Sequence, residues 1–210
     1  MNESTPSSEA TAPERPQTFT AWLRQSGAGI VSGMARGLIA LRIGPDLLTL
    51  MGLVLAIAAG ILAAQGRFVW AGVVYLLGVP FDALDGAVAR QSGKASRFGA
   101  LLDSTLDRYG EAALLGGLAY YYAVQNQPVS ILAIFAALFG SVMVSYTRAR
   151  SEGLLIDNKV GLLTRVERFI LTVIVLLIGR PMIGVWLLAG LTQVTVVQRL
   201  WHVYRTIGRS

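Results

Sequence analysis

Asp82, Asp85, Asp103 and Asp107 crowd into one short stretch of a 210-residue chain that is 54% apolar and only 14% charged. On a helix, Asp82 and Asp85 stand three apart and Asp103 and Asp107 four apart, so each pair projects from one face. Two such helices facing each other bring four carboxylates together. Carboxylates at that density repel unless cations lie between them, so divalent metal binding is the natural resolution. A metal centre of this kind suits attack on a pyrophosphate, with one carboxylate left to take a proton from an attacking hydroxyl.

The elements that must carry these acids are helices in a membrane. Long apolar runs recur at Leu47 to Ala64, Val69 to Pro80, Ala112 to Val124, Val129 to Val144, Phe169 to Ile178 and Met182 to Val197. Some fall short of the roughly 20 residues that cross a bilayer. Each can be extended through polar neighbours that face a cavity inside a bundle. The expected fold is therefore all-α, an integral membrane bundle of six transmembrane helices. The aspartate-bearing segments extend the second and third.

The chain up to residue 17 is rich in Ser, Thr, Pro and Glu, without a basic region followed by an apolar core. It reads as a disordered tail over 1–17 and not as a signal peptide. Residues 18–43 mix Trp22, Leu23, Ile30, Val31, Met34, Leu38 and Leu41 with Arg24, Arg36 and Arg42, the pattern of an interfacial amphipathic helix. Gly29, Gly33 and Gly37 suit either a close helix contact or a flexible lead-in. Pro45 opens the first span, so residues 44–210 form the six-helix catalytic domain. Arg67 and Arg180 lie in short turns, while nearly all other Lys and Arg gather at the opposite span ends. By the positive-inside rule both termini and the acid-bearing end face the cytoplasm. The net charge of +6 then suits anionic lipid and phosphate-bearing substrates, and nucleic acid is not an expected partner. Without cysteine there is neither a disulfide frame nor thiol chemistry.

The acids sit in D-x-x-D-G-x-x-A-R, eight residues, G-x-x-x-D-x-x-x-D, filled by Asp82, Asp85, Gly86, Ala89, Arg90, Gly99, Asp103 and Asp107. This pattern resembles the CDP-alcohol phosphotransferases, membrane enzymes of phospholipid synthesis. The resemblance implies two Mg2+ ions, or Mn2+, with Asp82, Asp85 and Asp103 on the first and Asp82, Asp103 and Asp107 on the second. It also implies that Asp107 is the general base and that CMP is displaced from CDP-diacylglycerol. Pro45, Asp46, Leu47, Leu48, Gly86, Arg90 and Ser96 would border the CDP-diacylglycerol, and a homodimer in the cell membrane is the implied assembly. Gly86, lacking a side chain, lets a ligand approach the helix closely or lets helices pack tightly, and Gly99 reads as a packing glycine.

A second cluster, Arg148, Arg150, Arg165 and Arg168, is basic enough for an oxyanion site, because guanidinium groups grip phosphate bidentately. Topology anchoring at span ends also accounts for basic residues there. Ser145 to Leu154 resembles the S-Y-x-[KR]-A-R-[AS]-E-x-x-G-L segment of the phosphatidylinositol phosphate synthases in this family, whose downstream R-P-E-R is matched except for Val166 in place of proline. The implied acceptor is inositol 1-phosphate, bound through Arg148, Arg150 and Arg165 with Arg168 beside them. Glycerol 3-phosphate, also phosphorylated, is the alternative acceptor. A transporter is the reading from another class, but it favours acids spread through the membrane and repeated halves, neither of which is seen. Tyr120, Tyr121 and Tyr122 read as an aromatic belt, Glu111 as support for the site or a partner of Arg108, and His202 as an interfacial residue.

Overall fold

The computed structural model describes residues 19–208, and the expected tail at 1–17 lies outside them. Within that range the chain is helical: α1 Phe19–Ala40, α2 Pro45–Ala64, α3 Phe68–Leu76, α4 Val79–Gln91, α5 Arg97–Val124, α6 Pro128–Glu152, α7 Arg165–Leu177 and α8 Pro181–Ile207. Prolines recur in the first turn of α2, α4, α6 and α8, where the missing N–H has no intrahelical partner to lose. Pro80 also separates α3 from α4, because its ring would collide with the carbonyl of Leu76 in a continuous helix. The break sets the direction of α4 and so the placement of Asp82 and Asp85.

Four helical stretches among the described residues are long and apolar enough to cross a membrane: Pro45–Ala64, Phe68–Gln91 (α3 with α4), Pro128–Glu152 and Pro181–Ile207. The two other expected spans fall on α5 and α7. α5 has 28 residues, but its first fifteen carry the charged residues Asp103, Asp107, Arg108 and Glu111. α7 has 13 residues, roughly 20 Å of helix, which is shorter than the hydrocarbon core. Large apolar side chains such as Val54, Ile61, Phe135, Phe139, Trp186 and Val197 stand exposed on the outer faces, an arrangement suited to lipid contact.

The helices run up and down, so the turns at 65–67, 125–127 and 178–180 share one end and the acids lie toward the other. α2 and α5 pack along their length through small residues. Ala56 faces Gly110, and Gly60 meets Ala113 and Gly117 backbone to backbone, so a Cβ added at Gly60 or Gly117 would strike the opposite helix. Around this contact Leu114, Leu115 and Leu118 close the core with Ile134, Leu176 and Leu188. A smaller core of Ala35, Leu48, Leu84 and Val88 seats α1 on α2 and α4. Of the three tyrosines expected to form a belt, Tyr120 is exposed, whereas Tyr122 is buried. Tyr121 packs edge-on against Phe68 and Tyr122, since consecutive helical residues point in different directions.

The segment between α6 and α7 is tied to α8. The buried Asn158 donates to Ser151 Oγ (2.9 Å) and to the Arg199 carbonyl (3.3 Å), and Leu163 N–H donates to Thr195 Oγ1 (3.1 Å). Arg199 is itself buried and donates to the carbonyls of Val160 and Val144. These bonds fix where α7 begins, and hence where Arg165 and Arg168 stand.

Candidate active site

Asp82 and Asp85 project from α4 and Asp103 and Asp107 from α5. Asp82, Asp85 and Asp103 each offer a carboxylate oxygen, and the three oxygens lie within 4.8 Å of one another. Asp103 Oδ1 is buried with no hydrogen-bond partner among the described residues, an expensive state for an anionic oxygen. Asp85, also buried, accepts a hydrogen bond on Oδ2 from Thr49 Oγ1 of α2 at 2.8 Å. A trio of hard carboxylate oxygens with one left unsatisfied fits a divalent cation such as Mg2+ or Mn2+.

Asp107 stands beside this trio in a different contact. Arg165 Nη2 donates to Asp107 Oδ1 at 2.5 Å and to Asp82 Oδ1 at 2.7 Å, so one guanidinium spans α4 and α5. Arg108 lies 3.6 Å from the other oxygen of Asp107. Arg168, one turn after Arg165, is buried and forms a two-pronged pair with Glu111 at 3.0 and 3.2 Å. Glu111 thus pairs with Arg168 and not with Arg108, and it holds the first turn of α7 against α5.

Two cavities meet at these acids. The first, of about 250 Å³, is lined by Thr49, Gly52 and Ala56 of α2, by Tyr75, by all four aspartates and by Arg108, Glu111, Arg165 and Arg168. Its wall combines charge at one end with the apolar surface of Leu53, Leu106 and Phe169. The second, of about 220 Å³, is lined by Pro45, Asp46, Gly86, Arg90, Lys94, Ser96, Gly99 and others. Thr49, Asp85 and Asp103 belong to both walls.

Five of the seven residues expected around the nucleotide therefore share one cavity: Pro45, Asp46, Gly86, Arg90 and Ser96. Leu47 points outward instead, and Leu48 is buried in the small core and borders the first cavity, because successive helical residues are turned by about 100° around the axis. Gly86 faces open space bordered by the Arg90 guanidinium, and no neighbouring helix backbone approaches it. Gly99, read as a packing glycine, also lines this cavity, with Ser96 Oγ accepting its N–H in the cap of α5. The expected arginine pocket is less compact. Arg148 pairs with Glu152 on its own helix at 2.8 Å, and neither it nor Arg150 lines the first cavity. Arg165 does, engaged with acids, and Arg168 is held by Glu111.

Residues absent from the sequence reading also contribute. Lys94 adds a cation to the second cavity, and the turn between two acid-bearing helices was a signal that could have found it. Tyr75 enters the first cavity with its ring 4.9 Å from that of Phe169. Thr49 had no sequence signal beyond lying one helical turn after Pro45.

The family model for CDP-alcohol phosphatidyltransferases matches residues 42–198. The archaetidylinositol phosphate synthase of Pyrococcus horikoshii is 36% identical over 83% of this chain and 90% of its own length. The phosphatidylinositol phosphate synthase of Mycobacterium tuberculosis is 33% identical over 88% of this chain and 90% of its own. The crystal structure of that Mycobacterium tuberculosis enzyme with CDP-DAG bound superposes with a TM-score of 0.79 at 32% identity, covering 84% of this chain and 94% of that one. Its structure with manganese and citrate gives a TM-score of 0.77 over 83% and 88%. The matched segment contains the four aspartates and both cavities, and with its four apolar helices the chain is a membrane enzyme that belongs to the CDP-alcohol phosphatidyltransferase family.

Proposed function

We propose that this enzyme transfers the phosphatidyl group of CDP-diacylglycerol to a hydroxyl of inositol 1-phosphate, giving phosphatidylinositol phosphate and CMP. The observation that carries this reading is the meeting of two cavities at Asp85 and Asp103. One cavity is bordered by the residues expected at the nucleotide, and the other offers arginines beside the acids. Relatives from a bacterium and an archaeon, named phosphatidylinositol phosphate synthase and archaetidylinositol phosphate synthase, support the choice of acceptor.

The acids are proposed to hold two Mg2+ ions, or Mn2+, one on Asp82, Asp85 and Asp103 and one on Asp82, Asp103 and Asp107. Such ions would neutralise the pyrophosphate oxygens and stabilise the departing phosphate. The chain's own residues do the rest. The nucleotide lies against Gly86 with its phosphates toward Arg90, Lys94 and Ser96. The acceptor hydroxyl oxygen bonds to the phosphorus that bears the diacylglycerol, and the bond from that phosphorus to the CMP oxygen breaks. The hydroxyl proton passes to Asp107. Arg165 grips the acceptor phosphate with Arg148 and Arg150 at the rim, and Arg168, held by Glu111, sets the position of Arg165. Since Arg165 contacts Asp107 Oδ1, turning toward a phosphate also frees the base.

In the membrane we infer six crossings, with α5 and α7 completing the four apolar spans and α1 lying along the interface. Both termini and the acids face the cytoplasm, as the basic residues at that end support. The family resemblance supports a homodimer, which crosslinking in vesicles reads out. Purified enzyme given CDP-diacylglycerol and labelled inositol 1-phosphate, glycerol 3-phosphate, inositol or serine is expected to release CMP fastest with inositol 1-phosphate, and only with divalent metal present. Faster release with glycerol 3-phosphate overturns the acceptor, and metal-independent release overturns the chemistry.

A further inference from the structure

We infer that Thr49 is a positioning residue that holds the Asp85 carboxylate in its metal-ligating orientation and so sets how tightly the acids take a divalent cation. The inference rests on the metal role proposed above for Asp82, Asp85 and Asp103. Thr49 Oγ1 lies 2.8 Å from Asp85 Oδ2 and 3.2 Å from the Pro45 carbonyl one turn earlier. A hydroxyl carries one proton, and it cannot serve two acceptors equally. Threonines within apolar helices ordinarily spend that proton on the carbonyl four residues back. Here the closer acceptor is a charged oxygen on another helix, and charge-assisted bonds are the stronger kind. The proton therefore goes to Asp85.

The consequence follows from what Asp85 has to do. Its carboxylate is buried, and it could rotate about its last bond if nothing held one oxygen. With Oδ2 engaged by Thr49, the carboxylate plane is set, and Asp85 joins Asp82 and Asp103 in the trio of clustered oxygens. Thr49 is also part of the wall of both cavities, so its hydroxyl sits where nucleotide and cation spaces touch. Partners of this kind, one step removed from the ion, commonly change metal affinity tenfold to a hundredfold when lost.

The test is a Mn2+ titration of purified full-length enzyme in detergent, following the paramagnetic resonance signal of free Mn2+, without substrate. Thr49→Val keeps the shape and removes the hydroxyl, and it is expected to weaken Mn2+ binding about tenfold to a hundredfold. Thr49→Ser restores the donor and is expected to bind close to wild type, a rescue that a purely packing role would not show. Asp85→Asn runs alongside. If Asp85→Asn weakens Mn2+ while Thr49→Val and Thr49→Ser both bind like wild type, the positioning role is overturned and the metal site stands. If Thr49→Ser binds as weakly as Thr49→Val, the methyl-bearing shape and not the hydroxyl matters, which also overturns it. If Asp85→Asn binds like wild type, the metal reading itself fails, and the inference fails with it.

Discussion

α2 and α5 behave differently at their two ends. Toward the turn at 65–67 they press backbone to backbone through Gly60, Ala113 and Gly117, with no room for a methyl group. Farther toward the acids, Gly52 and Ala56 of one helix and Asp103, Asp107 and Gly110 of the other line a cavity. The closed end does the holding, and the open end leaves the space in which the acids stand. Small residues forgo side-chain packing to bring two backbones into register, and that register stations Asp103 and Asp107 of α5 on the same cavity wall as Thr49 of α2.

The largest effect should come from the open end. Asp107→Asn keeps the shape but cannot accept the hydroxyl proton, and a loss of about 10²–10⁴-fold in turnover is expected, with CDP-diacylglycerol binding largely retained. Single-turnover CMP release at saturating metal checks it, and near-normal turnover removes Asp107 from the base role. Next comes the closed end. Gly117→Val drives a side chain into the Gly60 carbonyl and is expected to cost about 1–3 kcal/mol of stability through overpacking. A thermal melt of the purified protein reads this as a lower midpoint, and an unchanged midpoint means the two backbones are free to part. The smallest effect belongs outside both regions. Arg150 does not line the first cavity, so Arg150→Ala is expected to raise the acceptor KM by about tenfold, the low end for a charged hydrogen bond. An unchanged acceptor KM with normal expression assigns Arg150 to membrane topology alone.

How far the sequence could be read depended on the reach of each interaction. The gathering of the aspartates was legible because it is written in helical spacing, and the shared cavity of Pro45, Gly86, Arg90 and Ser96 because a family pattern carries them. Leu47 and Leu48 were carried by the same pattern but turned elsewhere, since a run of four helical residues sweeps most of the way around its axis. The arginines were legible as charge but not as partners. Arg165 finds Asp107 and Asp82 at separations of 58 and 83 residues, and Arg168 finds Glu111 across 57, distances over which no local spacing speaks. Thr49 and Asp85, 36 positions apart on different helices, were invisible for the same reason. The span count met a different obstacle. α7 is short, and α5 carries charges through its first half, so hydropathy marks four helices where six were expected.

The bridge from Arg165 to Asp82 and Asp107 has a bearing on how such a protein is made. Bare acids are costly passengers for a nascent chain entering a bilayer, and a cluster that waited for a cofactor would have to be assembled in a charged state. Here the polypeptide supplies a counter-ion from its own next-to-last helix. The carboxylates on α4 and α5 are synthesised first and Arg165 follows, so the bundle can neutralise two of its acids as α7 docks. Biogenesis need not depend on the metal supply of the cell, and later loading of the site becomes an exchange of one cation for another.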